Sequence, residues 1–89
     1  MSDINELKKQ AKALKPIVQV GKNGLTENVI NEIKKVLKTK KLVKIKLTRG
    51  ILEENDKKDI SKMIADLTES KIISLVGFNL TIYPLRLLK

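Results

Sequence analysis

The segment Gly21-Lys22-Asn23-Gly24 has the residue types and spacing in this chain that are best suited to chemistry. Because glycine has no Cβ, a GxxG segment lets backbone N–H groups come close to a phosphate. A helix is predicted directly after it, and its N-terminus adds unpaired N–H groups and a partial positive charge. Lys22 adds a cation, and Asn23 tolerates left-handed backbone and donates hydrogen bonds. The segment therefore indicates phosphate binding, with a plain strand-to-helix turn as the alternative.

Few other residues could do chemistry. The 89 residues include no cysteine and no histidine, which excludes disulfides, thiolate chemistry, cysteine zinc sites and the commonest general base. The GxxG spacing is not that of a Walker A loop. The acids between Glu53 and Asp59 could hold a divalent cation for a hydrolase, but acids at a helix start are ordinarily caps. We therefore expect no enzyme, no cofactor, no metal and no small-molecule substrate.

The charge is distributed unevenly. The net charge is +9, and residues 1–50 carry all of the excess, with 13 Lys or Arg against 4 Asp or Glu. Such an excess around the GxxG segment is typical of a nucleic-acid binder, whereas a solvated lysine-rich surface is the alternative. A membrane partner is disfavoured because no amphipathic helix has a bulky aromatic face. With no secretory signal and no long apolar run, we expect a cytoplasmic protein.

The residues that must position the segment form one domain over residues 1–89. Apolar periodicity and breakers predict helices over 3–14, from a Thr26 cap to about 39, and from Asn55 or Asp56 to about 70. They predict strands over 17–20, 42–48, 72–76 and 80–83, the last two joined by Gly77-Phe78-Asn79. The αβαβαββ order predicts an α/β fold of the two-layer α+β type, with a four-stranded mixed sheet and helices packed on it.

Further candidates for phosphate contact are lysines on predicted solvent faces. They are Lys34, Lys35 and Lys38 on the second helix, Lys44 and Lys46 on the second strand, and Lys15, with Lys12 and Arg49 as additional candidates. The third helix is predicted to bury Ile60, Met63, Ile64 and Leu67.

Aromatic residues are almost absent, which disfavours a base-stacking sheet. Phe78 is expected to cover an edge of the core, with stacking on a base as the alternative, and Tyr83 is expected in the core with its hydroxyl at the rim. Recognition is therefore expected to depend mainly on backbone and shape.

Three blocks of sequence resemble the CRM domain, also called the YhbY family. Residues 14–27, LKPIVQVGKNGLTE, resemble its LKP…VxVGxxGLT signature, residues 42–46, LVKIK, its second strand, and residues 76–83, VGFNLTIY, its closing hairpin. Family members often have Arg directly after that Tyr, whereas here Pro84 follows and Arg86 comes later.

This resemblance implies an RNA-binding module with a fold similar to the C-terminal domain of bacterial initiation factor 3. It implies that Gly21, Lys22, Asn23 and Gly24 form an RNA-binding loop like that of KH domains, and that the partner is ribosomal RNA in precursors of the large subunit. Two alternatives stay open: a chromatin-type protein that coats DNA or RNA, and a basic adaptor that binds an acidic protein.

Overall fold

A computed structural model describes residues 4–87. Its helices and strands follow the predicted order, with one short additional helix between β2 and the third predicted helix. The elements are α1 (Ile4–Ala13), β1 (Val18–Val20), α2 (Glu27–Lys40), β2 (Val43–Leu47), α3 (Arg49–Leu52), α4 (Lys57–Leu67), β3 (Ser70–Val76), β4 (Asn79–Pro84) and a 3₁₀ turn (Leu85–Leu87). Among these helices none is both long and apolar enough to cross a membrane.

The sheet has four strands in the order β1-β2-β4-β3. β1 and β2 are parallel, and β4 lies between β2 and β3, antiparallel to both. It follows that β1, β2 and β3 all run in the same direction, so their carboxyl ends meet at one edge of the sheet. The α+β class and the four-stranded mixed sheet predicted from the sequence are confirmed.

The alternating sequence of β2 separates the two faces of the sheet. Val43, Ile45 and Leu47 are buried in the main core, while Lys44 and Lys46 point to the other face. Residues of α2, α3 and α4 complete the main core. Its fully buried members are Val20, Ile33, Val43, Ile45, Leu47, Ile64, Leu80 and Ile82. A smaller cluster places Leu7 of α1 against Leu42 and Ile73, so α1 covers part of the opposite face.

The caps predicted for α2 and α4 are present, whereas Ser2 and Asp3, either of which is predicted to cap the first helix, lie outside the described residues. The Thr26 hydroxyl accepts a hydrogen bond from the Val29 N–H at 3.2 Å, and the Asp56 carboxylate accepts one from the Lys58 N–H at 2.8 Å. These bonds satisfy N–H groups that have no acceptor within the helix. The ordinary capping role expected for the acids before α4 is thereby confirmed for Asp56.

Two local predictions are wrong. The β3–β4 connection is a two-residue turn, because Asn79 already pairs with Val76, and Gly77 takes the φ of +59° that a type II′ turn requires. In α4, Met63 and Leu67 are exposed, with 49% and 47% of their surface accessible. The small residues Ser61 and Ala65 are buried in their place. Ser61 can be buried since its hydroxyl donates to the Lys57 carbonyl at 2.7 Å.

Lys44 ties α1 to the sheet. Its ammonium donates hydrogen bonds to the carbonyl oxygens of Ala11 at 3.1 Å and Leu14 at 3.2 Å. These carbonyls lie at the carboxyl end of α1 and just after it, where a cation is favoured, and the Ala11 carbonyl also accepts the Leu14 N–H at 3.2 Å. The half-buried Lys44 side chain therefore supplements the small apolar cluster beneath α1.

Replacing Lys44 with Met should lower the free energy of unfolding by about 1.5–3 kcal/mol, because two hydrogen bonds from a charged donor are lost. Lys46→Met is the matched control, since Lys46 is exposed on the same strand and its loss should change stability by less than about 0.5 kcal/mol. Urea unfolding followed by circular dichroism measures both. Equal effects in the two variants would contradict the anchoring role.

Candidate nucleic-acid interface

The GxxG segment is a tight turn between β1 and α2. The Gly24 N–H donates to the Gly21 carbonyl at 2.9 Å, and the Thr26 N–H donates to the Gly24 carbonyl at 3.1 Å. Gly24 has a φ of +78°, a left-handed conformation that is costly for residues with a Cβ. Lys22 and Asn23 occupy the two central positions and are exposed. The turn thus presents a lysine and an amide side chain to solvent.

The start of this turn is fixed to the end of β2. The Val20 carbonyl accepts two hydrogen bonds from Thr48, one from its N–H at 3.1 Å and one from its hydroxyl at 2.9 Å. Val20 itself is fully buried. The backbone is therefore held in place up to the residue that precedes Gly21.

The helix α3 supports the turn from behind. A Cβ added at Gly50 would lie 3.0 Å from the Lys22 Cβ, 3.1 Å from its Cα and 3.2 Å from its N, closer than side chains normally approach. A Cβ added at Gly24 would lie 3.5 Å from the Ile51 Cδ1, and Ile51 belongs to the main core. The Asn55 amide donates to the Ile51 carbonyl at 3.0 Å and closes the end of α3. The turn therefore rests on a short helix whose glycine allows the close contact.

The apolar pattern does not predict α3, and the predicted second strand ends at residue 48, directly before this helix. Only four residues long, the helix gives too short an apolar pattern to reveal a period. One available signal was the order Thr48-Arg49-Gly50-Ile51-Leu52, in which a possible cap precedes two apolar residues.

Several elements meet at the same sheet edge. The carboxyl ends of β1 and β2 lead into the turn and α3, and the β3–β4 hairpin tip lies beside them, since the Leu47 N–H donates to the Phe78 carbonyl at 2.7 Å. The Lys57 ammonium at the start of α4 donates to the Gly77 carbonyl at 3.0 Å. The GxxG turn therefore lies at this carboxyl edge together with α3, the hairpin tip and the starts of α2 and α4.

The structure brings only some of the candidate cations to the carboxyl edge. Lys22 lies in the turn, and exposed Lys46 sits in the same row as Gln19 and Asn79, its register partners on β1 and β4. Arg49, the exposed first residue of α3, adds a third positive charge. These three cations therefore lie on elements that meet at the carboxyl edge.

The other candidates lie elsewhere. Lys15 precedes β1 and so lies toward its amino end, and exposed Lys12 lies in the last turn of α1. The exposed Lys34, Lys35 and Lys38 follow α2 away from the turn, and at 1.5 Å per residue Lys38 lies about 17 Å along the axis from Glu27. Lys44 has its ammonium bound to α1. Their contact with nucleic acid stays a prediction, as it does for the turn.

A second basic region lies at the far end of α2. A shallow cleft of about 390 Å³ separates the end of α2 from the start of β3 and the 3₁₀ turn. Its lining residues are Lys34, Leu37, Lys38, Thr68, Glu69, Pro84, Leu85 and Arg86. Arg86, which the family pattern would place directly after Tyr83, therefore lies beside the α2 lysines and not at the GxxG turn.

The acidic residues form no metal site within residues 4–87. No three of the Asp and Glu residues described there lie close enough together to hold an ion. Glu53 and Glu54 are exposed after α3, and Asp56 caps α4.

Comparison with known proteins agrees with this architecture. A family model of the CRS1/YhbY (CRM) domain matches residues 2–83. Probable RNA-binding protein MJ0652 of Methanocaldococcus jannaschii is 35% identical over 77 residues, which are 86% of this chain but only 57% of that protein. Probable RNA-binding protein YqeI of Bacillus subtilis is 30% identical over 77 residues, covering 86% of this chain and 78% of that protein.

A solved structure is similar to this chain over most of the length of both. The solution structure of the Staphylococcus aureus protein SAV1595 superposes with a TM-score of 0.76 at 30% identity, covering 91% of this chain and 82% of that chain. The resemblance inferred from the turn and hairpin motifs is confirmed, and the chain belongs to the CRS1/YhbY (CRM) domain family.

Proposed function

We propose that this chain is an RNA-binding protein, without catalytic activity, that holds a sugar-phosphate backbone on its GxxG turn. The observation that carries the proposal is the turn itself, with exposed Lys22 and Asn23 at its tip and α3 packed behind it. The names of its relatives, which are called RNA-binding or probable RNA-binding proteins, support RNA as the ligand.

The turn would bind phosphate in two ways. Apart from the residues adjacent in sequence, no protein atom lies within 4 Å of a Cβ added at Gly21, so a ligand can approach the backbone there. Lys22 supplies a charge-assisted hydrogen bond, which is stronger than a neutral one. Glu27 in the first turn of α2 offsets part of the positive potential at that helix terminus. We therefore place the phosphate on the Lys22–Asn23 side of the turn.

Ribosomal RNA is the specific ligand that the family resemblance suggests. In this proposal the protein acts in the cytoplasm on precursors of the large ribosomal subunit, with no cofactor and no small-molecule substrate. Lys46 and Arg49 extend the contact at the carboxyl edge, and Lys34, Lys35 and Lys38 provide a further basic surface for folded RNA. Sedimentation with ribosomal particles, followed by sequencing of the bound RNA, tests this assignment.

Changing Lys22 and Asn23 together to Asp should weaken RNA binding about tenfold to a hundredfold at moderate salt, because a cation at the turn is replaced by two anions. Fluorescence anisotropy with a labelled RNA hairpin measures the affinity, and circular dichroism checks the fold. Lys9→Asp with Gln10→Asp is the matched control, since it makes the same charge change at two exposed neighbours on α1. Wild-type affinity in the loop variant would disprove the proposed role of the turn.

Gly21→Ala tests whether RNA approaches the backbone. The added methyl group meets no protein atom and Gly21 has no positive φ, so stability should be unchanged or slightly higher. RNA affinity should nevertheless fall severalfold, because the methyl group occupies space that the phosphate needs. Thermal unfolding and RNA anisotropy on the same samples measure the two effects.

Gly50→Ala is the companion variant, which changes the contact between α3 and the turn. Its methyl group presses on Lys22, so the amide resonances of the turn should shift in the RNA-free protein. Full RNA affinity in Gly21→Ala would show that the backbone is not approached at this glycine.

A DNA-coating or basic-adaptor role is the second candidate. The observation in its favour is the exposed lysine face of α2, which extends beyond the turn and could bind any phosphate backbone or an acidic protein. We expect structured RNA to displace labelled duplex DNA of equal length, and duplex DNA to displace RNA poorly. Equal competition would favour the coating role, and binding to neither would favour the adaptor.

A further inference from the structure

The β3–β4 hairpin presents apolar surface at the carboxyl edge. Phe78 has 48% of its surface exposed and Val76 has 71%. A phenyl ring is normally stabilised by burial. The predicted role of Phe78, covering an edge of the core, therefore accounts for at most part of the surface of its side chain. The exposed ring lies at the same end of the sheet as the GxxG turn.

The hairpin tip is held firmly in place. The Phe78 carbonyl accepts the Leu47 N–H at 2.7 Å, and the Gly77 carbonyl accepts the Lys57 ammonium at 3.0 Å. These bonds attach the tip to both β2 and α4. The ring therefore starts from a fixed backbone, which lowers the entropy cost of binding a ligand.

The distance from the ring to the turn suits a nucleotide chain. Leu47 pairs with Val20 on one side and bonds Phe78 on the other, so two strand spacings separate the start of the turn from Phe78. Two spacings amount to about 10 Å. Stacked nucleotides are about 3.4 Å apart, so roughly three of them span this distance.

The elements between the two points carry exposed polar and positively charged side chains. Lys46 and Gln19 are exposed in the row of Val76 and Asn79, on the sheet face opposite Leu47, and Arg49 is exposed just after β2. Cations on the elements between an exposed ring and the turn suit a nucleotide chain, since they can meet phosphate while the ring meets a base face. A single exposed aromatic together with cations on the neighbouring elements suits RNA better than a lipid surface.

We propose that Phe78 stacks on an unpaired base of the RNA strand whose phosphate lies on the GxxG turn. This assigns a single-stranded segment as part of the ligand, because bases within an A-form duplex are stacked on one another and are not available to a side chain. The proposal rests on the proposed RNA-binding function and adds to it a base contact that backbone recognition does not require.

Phe78→Ala should weaken binding of a twelve-nucleotide single-stranded RNA about fivefold to a hundredfold. The affinity of the Phe78→Ala variant for a blunt RNA duplex of the same length should be unchanged. The dependence of affinity on salt should also be unchanged, because no charge is removed, whereas Lys46→Met should reduce the salt slope by about one phosphate contact. Met63→Ala is the matched control, since Met63 is 49% exposed on α4.

Phe78→Trp provides a direct measurement of stacking. The chain contains no tryptophan, so the introduced indole is the only one. Its fluorescence should be quenched when the single strand is added and should be little changed by the duplex. Quenching that is equal for both RNAs would overturn the stacking proposal.

The outcomes distinguish a failure of the stacking proposal from a failure of the RNA-binding proposal. If the wild-type protein binds the single strand and Phe78→Ala binds it equally well, stacking is overturned while RNA binding stands. If the wild-type protein binds neither RNA, both proposals fail. If sedimentation equilibrium shows that the wild-type protein self-associates and Phe78→Ala does not, with equal RNA affinity, the tip joins two copies of the chain and stacking is overturned.

Discussion

The carboxyl end of β2 is the constraint on which the candidate interface depends. Leu47 is buried in the main core, pairs with Val20 and donates its N–H to Phe78, while Thr48 holds the Val20 carbonyl through two hydrogen bonds. The GxxG turn and the hairpin tip are far apart in sequence, yet both are fixed to these two residues. The cost of ordering them is met by core packing when the chain folds, so a ligand meets two preformed surfaces.

The lysines of β2 illustrate how one sequence pattern serves two physical roles. Lys44 and Lys46 occupy equivalent positions in the alternation, but α1 extends over only the first of them. Lys44 donates to the carbonyls at the end of α1, whereas Lys46 remains exposed beside Gln19 at the carboxyl edge. An alternating strand shows which face a lysine is on, and the packing of a distant helix decides whether its charge is available to a ligand.

Much of the fold could be predicted because its signals are local. The Thr26 and Asp56 caps and the alternation of β2 depend on neighbours within a few residues, and such signals predict the main helices and strands in order. The errors arose where contacts between distant residues outweighed local preference. Ser61 is buried in place of Met63 because its hydroxyl has a backbone acceptor and α4 lies close to the sheet. The four-residue α3 has no period to detect.

Features of the candidate site likewise fall into those that local sequence determines and those that tertiary contacts determine. The sequence by itself determined the GxxG turn, its lysine, the excess of positive charge in residues 1–50 and the family to which these motifs point, because residue type and spacing along the chain carry that information. Only the tertiary structure decided that Gly50 packs against Lys22, that Lys38 lies about 17 Å along α2 from its start, and that Phe78 is exposed near the turn. These facts depend on strand order, which brings together residues remote in sequence and is set by burial of the whole core.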